Sequence, residues 1–481
     1  MTQPALSQIS SGSALLPPIP EISSSRAEPE GSAAPPLIHR TYLAGGEIIE
    51  WTGKQEQVIS PICREQDGEL KQVILGSVPA LTSEQALAAL DSAVAAYGNG
   101  RGLWPSLGCE ERIRCVEKFA ASLAEKREEL IELIMWEVAK TKSDAAKEVD
   151  RTLEYIQETI AALRCSELRS EELLAGEGII GKQKRQPLGV CLCMGPYNYP
   201  LNETLGVLIP ALLMGNTAVL KPPRLGVLMF GALQEAFRDA FPPGVVNIIY
   251  GDGREIITPI MKSGKVDVLA FIGSNGAAEA ILANHPKRTR LREVLGLGAK
   301  NAAIILPDAD LERAVQECVK GALSYNGQRC TDLKLLFVHR DIAEKFSAML
   351  SEEVSRLKLG MPWDDGVQIT PIPDLKAINY FNELIQDAGA HGARVINPGG
   401  GQTQGTLFRP AVVYPVDSKM RLYSEEQFGP VVPIVPFDTI EEPLSFYEQT
   451  NLGQQVSIFG RDPAALLELA LPLSRLACRV N

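Results

Sequence analysis

Along the chain the apolar positions fall first into extended segments, then into long amphipathic helices, and finally into short apolar runs that alternate with helices. Thr41 to Cys63 reads as strands with turns at Gly45-Gly46 and Gly53. A helix is predicted from Thr82, its cap residue, with Glu84 in the first turn and Ala86, Leu87, Ala89, Leu90 and Val94 behind it. Glu110 to Ala139 places Ile113, Val116, Phe119, Leu123, Leu130 and Ile134 at helical steps and predicts one long helix. Ser143 to Leu163 predicts another, with Val149, Leu153, Ile156 and Ile160 on one face. Gly176 to Gly189 reads as an extended hairpin carrying Lys182, Lys184 and Arg185. The period then changes. Val190–Met194, Ala218–Leu220, Val245–Ile249 and Val268–Ile272 are short apolar runs separated by helical stretches such as Leu225–Ala240. A second series follows: Ala302–Leu306, a helix over Leu311–Leu323, Leu333–His339, and a helix over Ile342–Leu357. Apolar strands alternating with helices specify a parallel sheet covered on both faces. The fold class predicted is therefore α/β, with two doubly wound parallel-sheet units meeting near residue 297 and no internal repeat.

Composition narrows the function. The chain has 481 residues, 45% of them hydrophobic, enough for two or three packed domains. The formal charge is −12, which argues against nucleic acid or an anionic membrane surface as partner. An anionic ligand must then be held by a local group of Arg and Lys. Nine cysteines and four scattered histidines show neither a CxxC pair nor a zinc spacing, so reduced thiols, no metal and a cytoplasmic location are expected. Leu205–Gly215, interrupted by Pro210, is far shorter than the ~18 residues of a membrane span. The Ser-, Pro- and Ala-rich residues 1–36 lack the features of a signal peptide and read as a disordered tail.

Three loops carry candidate chemistry. Asn326-Gly-Gln-Arg-Cys-Thr331 joins a helix to an apolar strand and puts Cys330 at a domain junction beside Arg329, which would favour a thiolate; a buried structural cysteine is the alternative. Asn198, between two prolines after the first parallel strand, is either a turn residue or a hydrogen-bond donor to an oxyanion. Lys221-Pro-Pro-Arg224 ends the next strand, where ligands of parallel sheets bind, and offers either two cations to an anionic cofactor or a solvated charge pair. Gly251-Asp-Gly253 lacks the third glycine of a dinucleotide fingerprint, since Ile256 stands there, and reads as a turn.

From about Pro36 to its last residue the chain resembles the aldehyde dehydrogenase superfamily, and within it the NADP-dependent, non-phosphorylating glyceraldehyde-3-phosphate dehydrogenase branch. The stretches that carry the resemblance are GPYNYPLN (195–202), IPALLMGNTAVLKPP (209–223), FPPGVVNIIYGDG (241–253), AFIGS (270–274), SYNGQRCT (324–331) and EEQFGPVVPI (425–434). It implies that Cys330 attacks the aldehyde while the Asn198 amide and the Cys330 N–H hold the oxyanion. It implies further that Glu426 and Phe428 position the nicotinamide, Lys221 the adenosine ribose, and Gly273 with Ser274 the pyrophosphate. Arg224 replaces an acid common in NAD-preferring relatives and can grip a 2′-phosphate, so NADP is expected, with NAD as the alternative. Arg151, Tyr199 and Arg329 match groups that bind a phosphorylated aldehyde. The implied organisation is a cofactor-binding domain (37–175 and 188–296), a catalytic domain (297–475), and an oligomerisation element (176–187 and 476–481) that would build a homodimer or homotetramer.

The chain departs from the pattern in three places. Gly296, in Leu295-Gly-Leu-Gly-Ala-Lys300, stands where relatives carry the glutamate that activates water. Glu293 and Glu426 are the substitutes in view, although Glu293 sits on the opposite face if the stretch is extended. The same loss fits a CoA-acylating branch, whose motif also reads Gly-Ala-Lys-Asn; a non-catalytic nucleotide-binding relative is the third alternative. Ala278 replaces a glycine expected near the cofactor. Relatives also continue beyond Asn481 into a segment that closes the substrate mouth, so weak dimerisation and an exposed hairpin edge are expected.

Overall fold

The short apolar runs form the centres of two seven-stranded sheets. The computed structural model describes residues 37–170, 173–176, 178–182, 184–452, 455–477 and 479–481; the tail expected over 1–36 lies outside them. The first sheet contains β1 (Thr41–Ala44), β2 (Glu47–Glu50), β3 (Val190–Met194), β4 (Thr217–Lys221), β5 (Val246–Ile248), β6 (Val268–Ile272) and β7 (Arg292–Gly296). Their order is β7-β6-β3-β4-β5-β1-β2, with β3 to β7 mutually parallel and the β1–β2 hairpin added antiparallel to β5. The chain runs outward from β3 to β5, then returns to the other side of β3. That reversal is the switch point of a doubly wound sheet. Val190 to Cys193 and Thr217 to Leu220 are buried without alternation, as strands covered on both faces require.

The second sheet contains β8 (Ala302–Ile305), β9 (Leu335–His339), β10 (Arg394–Val395), β11 (Ala411–Tyr414), β12 (Val431–Phe437), β13 (Gln455–Phe459) and β14 (Arg479–Val480), in the order β10-β11-β12-β9-β8-β13-β14. Ala302, Ile304, Leu335 and Phe337 enter one core, whereas Ala303, Ile305, Leu336 and Val338 enter another. Strand alternation thus gives each face of this sheet its own apolar layer.

Several elements differ from the pattern. The helix expected over 110–139 is two helices, Cys109–Glu125 and Arg127–Val138, broken where Lys126 takes φ −94° and ψ 10°. Leu225–Ala240 likewise holds two short helices, Leu228–Ala232 and Gln234–Ala240. Thr82 occupies the cap position of the helix Ser83–Tyr97, but its hydroxyl bonds the Gln85 side chain and makes no cap bond. The hairpin pairs Leu173–Gly176 with Ile179–Lys182, earlier than the expected 176–187, and leaves Lys184 and Arg185 outside. Ile179 and Ile180 are 72% and 71% exposed on it. Arg479–Val480, which fall in the expected oligomerisation element, pair in parallel with β13 at the edge of the second sheet. Among the described residues no helix is long and apolar enough to cross a membrane, and no group of three or more His, Cys, Asp or Glu could hold a metal ion.

Candidate active site

The carboxyl ends of the first sheet face the loops that precede β8 and β9 in the second, and Asn198 meets the Cys330 loop at that seam. The loop after β3 runs Gly195 to Leu201 into the helix α2 (Asn202–Leu213), behind the helix α1 (Lys142–Ser170). A Cβ at Gly195 would fall 1.7 Å from Thr204 Oγ1, so only glycine lets this loop pack on the helix. Glu148 of α1 fixes the helix entry by accepting from the N–H groups of Leu201 (3.0 Å) and Asn202 (3.2 Å). Its other oxygen pairs with Lys140 Nζ at 2.5 Å, both side chains fully buried, and Lys140 also lies 3.3 Å from the centre of the Tyr199 ring. A loop that touches the chemistry is therefore set from beneath by a buried ion pair.

The Cys330 loop is held from two sides. Tyr325, Asn326 and Gly327 have φ of 48°, 58° and 73°, three left-handed residues in a row, two of which carry side chains that disfavour this region. Asn326 sustains the conformation by accepting from Thr370 N (2.9 Å) and donating to Thr370 O (3.1 Å). Asn301, just before β8, donates from Nδ2 to the carbonyls of Cys330 (2.7 Å) and Asp332 (2.9 Å) and accepts from Gln455 N (3.0 Å). Across the seam Asn198 Nδ2 donates to Gln328 O at 2.7 Å, and Tyr197 donates to Gln328 Oε1 at 3.1 Å. An amide nitrogen has two N–H groups, and this bond uses one of them.

Cys330 is half-buried. Burial pushes its thiol up, Glu203 adds to the rise, and Lys334 opposes it. Lys334 is thus a cation that favours the thiolate. Arg329 is committed to Asp332: its backbone N–H donates to Oδ2 (2.8 Å) and its Nε to Oδ1 (2.5 Å). Burial outweighs these contacts and pushes the Asp332 carboxyl up to about 6. Lys334 is 1% exposed, its Nζ has no hydrogen-bond partner among the described residues, and it stands 3.6 Å from Glu426 Oε1 and 4.6 Å from the centre of the Phe428 ring. Burial pushes its ammonium down, chiefly against the pull of Glu426 and Asp332.

At the mouth, Tyr199 is half-buried with its ring 6.2 Å from Tyr325, and burial pushes its phenol up. Arg151 is exposed on α1, and its charge reaches Glu203 in the first turn of α2. On the other side a cavity of about 150 Å³ opens at the carboxyl ends of β4 and β5, lined by Lys221, Arg224, Glu56, Val58, Tyr250 and Gly253 among others. Burial pushes the Lys221 ammonium down, and its Nζ donates to Pro222 O at 3.1 Å. Arg224 is 72% exposed and reaches Asp374 Oδ2 at 3.1 Å. Beyond β6, a Cβ at Gly273 would fall 2.5 Å from the Phe271 ring, and Ser274 caps the helix α3 (Asn275–Ala283) by accepting from Ala277 N. Ala278 is buried, and its N–H bonds Ser274 O at 3.1 Å in an undisturbed first turn. Glu426 accepts from Ala299 N (3.1 Å), and a Cβ at Gly298 would fall 2.7 Å from its Oε2. Phe428 has φ 38° and lies 6.0 Å from the Tyr197 ring. The cavity thus carries two cations, Lys221 and Arg224, while Glu426 and Phe428 both adjoin Lys334.

Gly296 ends β7 against Ile272. Glu293 is three residues away on the opposite face, as expected, with its carboxylate 3.6 Å from Arg288. Sequence reasoning missed Glu203, Asp332, Lys334 and Asp374. The first adjoins the Asn198 motif and the next two follow Cys330 within four positions, so their proximity was available. Nothing in the sequence links Asp374 to Arg224.

The aldehyde dehydrogenase family model matches residues 54–481. The NADP-dependent glyceraldehyde-3-phosphate dehydrogenase of Streptococcus equinus is 35% identical over 430 residues, 88% of this chain and 85% of the relative. The structure of the NADP-dependent glyceraldehyde-3-phosphate dehydrogenase from Bacillus halodurans C-125, complexed with NADP, superposes with a TM-score of 0.81 at 34% identity, covering 91% of this chain and 89% of that one. Lactaldehyde dehydrogenase from Escherichia coli superposes with a TM-score of 0.82 at 27% identity, covering 93% and 91%. With the family model matching residues 54–481 and a 35% identical relative covered over 85% of its length, the chain belongs to the aldehyde dehydrogenase family.

Proposed function

We propose that the chain oxidises glyceraldehyde 3-phosphate to 3-phosphoglycerate with NADP, through an acyl thioester on Cys330. The observation that carries this reading is the Asn198–Gln328 bond, which sets the Asn198 amide beside a loop that presents a half-buried cysteine at the seam. The Cys330 sulfur attacks the aldehyde carbon. The remaining Asn198 N–H and the Cys330 backbone N–H receive the oxyanion, donors worth on the order of 10²–10³ in rate each. Lys334 favours the thiolate from below. NADP, when bound, supplies the hydride acceptor; Lys221, Arg224, Gly273 and Ser274 would hold its nucleotide half, and Glu426 and Phe428 its reacting half. Arg151, Tyr199 and Arg329 would receive the substrate phosphate, with Arg329 exchanging part of its contact to Asp332.

Gly296 favours a second reading, in which a CoA thiol takes the acyl group and no activated water is needed. The test is a panel of aldehydes with NADP, with and without CoA, following NADPH and free acid. Glyceraldehyde 3-phosphate is expected to lead in kcat/KM and to give free acid without CoA, with turnover abolished in Cys330→Ser. Equal kcat/KM for lactaldehyde would remove the phosphate specificity; turnover strictly dependent on CoA would move the chain to the second reading.

A further inference from the structure

Release of an acyl group from Cys330 as a free acid needs a group that takes a proton from the attacking water. Gly296 offers none. Of the carboxylates around the site, Glu293 points away on the far face of β7 beside Arg288. Asp332 is 1% exposed and spends both oxygens on Arg329. Glu426 is held by Ala299 N and faces Lys334 on the nucleotide side. Glu203 is half-buried, as Glu426 is, but among the described residues only its neighbour's amide bonds it, Asn202 Nδ2 at 3.3 Å. Its backbone N–H donates to Tyr199 O at 3.1 Å, one turn from the Asn198 side chain that docks on Gln328. Among the carboxylates that act through space on the Cys330 sulfur, it acts most strongly.

We propose that Glu203 is the general base of deacylation in this chain. The proposal rests on the reading of Cys330 as an acylated nucleophile. Water attacks the acyl carbon as one Glu203 oxygen takes its proton. The C–O bond forms and the carbonyl electrons move to the oxygen held by Asn198 and the Cys330 N–H. The tetrahedral adduct then collapses, the C–S bond breaks, sulfur leaves as thiolate beside Lys334, and Glu203 returns its proton to solvent. No electrons are gained or lost. The surroundings suit a general base. Burial and Glu148 raise the carboxyl and strengthen its pull on a proton, against the hydrogen bond from Asn202 and the charges of Arg151 and Lys140.

The test uses the full chain and p-nitrophenyl acetate without cofactor, so that acylation appears as a burst of nitrophenolate and deacylation as the steady rate. In Glu203→Gln the burst is expected to remain near one per chain while the steady rate falls about 10²-fold or more, within the usual range for a lost general base. Intact mass should show acetyl-enzyme persisting, Glu203→Asp should recover part of the rate, and Glu293→Gln should match the parent. A steady rate in Glu203→Gln within twofold of the parent overturns the proposal. Loss of the burst in that variant, with its melting temperature unchanged, overturns it too, because the residue would then act before the acyl-enzyme. A parent chain that acetylates Cys330 but reduces no NADP with any aldehyde refutes the oxidation reading and leaves this one standing; a parent that never acetylates Cys330 refutes both.

Discussion

Replacing Arg224 by glutamate reverses the charge beside the cavity proposed to take the nucleotide, and the structure bounds the effect. Two unit charges about 4 Å apart interact by about 1 kcal/mol in water and about 4 kcal/mol at an effective dielectric of about 20. Arg224 is 72% exposed, so the lower figure applies to each charge. A 2′-phosphate carrying nearly two charges would gain about 2 kcal/mol, trimmed by salt to about 1.4 kcal/mol, or tenfold. Arg224→Gln should therefore lower the ratio of kcat/KM for NADP to that for NAD about tenfold. Arg224→Glu, which substitutes repulsion for attraction, should lower it about 100-fold. Asp374 supplies the converse. Its carboxylate competes for the guanidinium at 3.1 Å, and an exposed pair of this kind is worth about 0.2–1 kcal/mol. Asp374→Asn should raise the ratio by up to about fivefold, while its side-chain oxygen goes on capping the helix at Ala377 N. Initial rates with both cofactors at one ionic strength measure all three variants. A ratio unchanged within twofold in Arg224→Glu would refute the assignment.

Three further perturbations probe the site. Lys334→Met removes a cation that favours the thiolate, so the midpoint pH for alkylation of Cys330 by iodoacetamide should move up, while Lys334→Arg holds it; an unmoved midpoint contradicts the role. Asp332 titrates at about 6 in the folded chain against an ordinary 3.8, so the native state binds this proton more tightly than the unfolded one. Its stabilising contribution is full below 3.8 and is lost as pH rises through about 6. Urea unfolding should then show the stability of the parent relative to Asp332→Asn falling between about pH 4 and about pH 7, and a gap that widens instead reverses the argument. Lys140→Met strands the buried Glu148 charge and should cost about 3–5 kcal/mol; a loss under about 1 kcal/mol would show that the pair is not what orders the Tyr199 loop.

Much of the fold was legible because its strands are buried on both faces. Val190–Met194 and Val268–Ile272 stand out as uninterrupted apolar runs for that reason. The break at Lys126 was not legible, since Leu123 and Leu130 stay buried on either side and the apolar rhythm passes over a turn made by backbone angles alone. The hairpin was misplaced because Lys182, Lys184 and Arg185 drew the reading towards the polar end of the segment. In the site, Asn198 and Cys330 lie in loops and Lys221 ends β4, positions that follow from the strands. The Arg329–Asp332 pair could have been anticipated from its three-residue spacing. The Arg224–Asp374 pair spans 150 positions and exists only because the two sheets meet.

The amide of Asn301 ties the nucleophile's loop to the start of β8 and to β13, whereas Asn198 rides on the end of β3. The two candidate groups thus belong to different slabs, joined at this point through Gln328, whose carbonyl accepts from Asn198 and whose Oε1 accepts from Tyr197. Warming that merely loosens the slabs against each other should silence acylation while both remain folded, so inactivation would run ahead of the loss of circular dichroism.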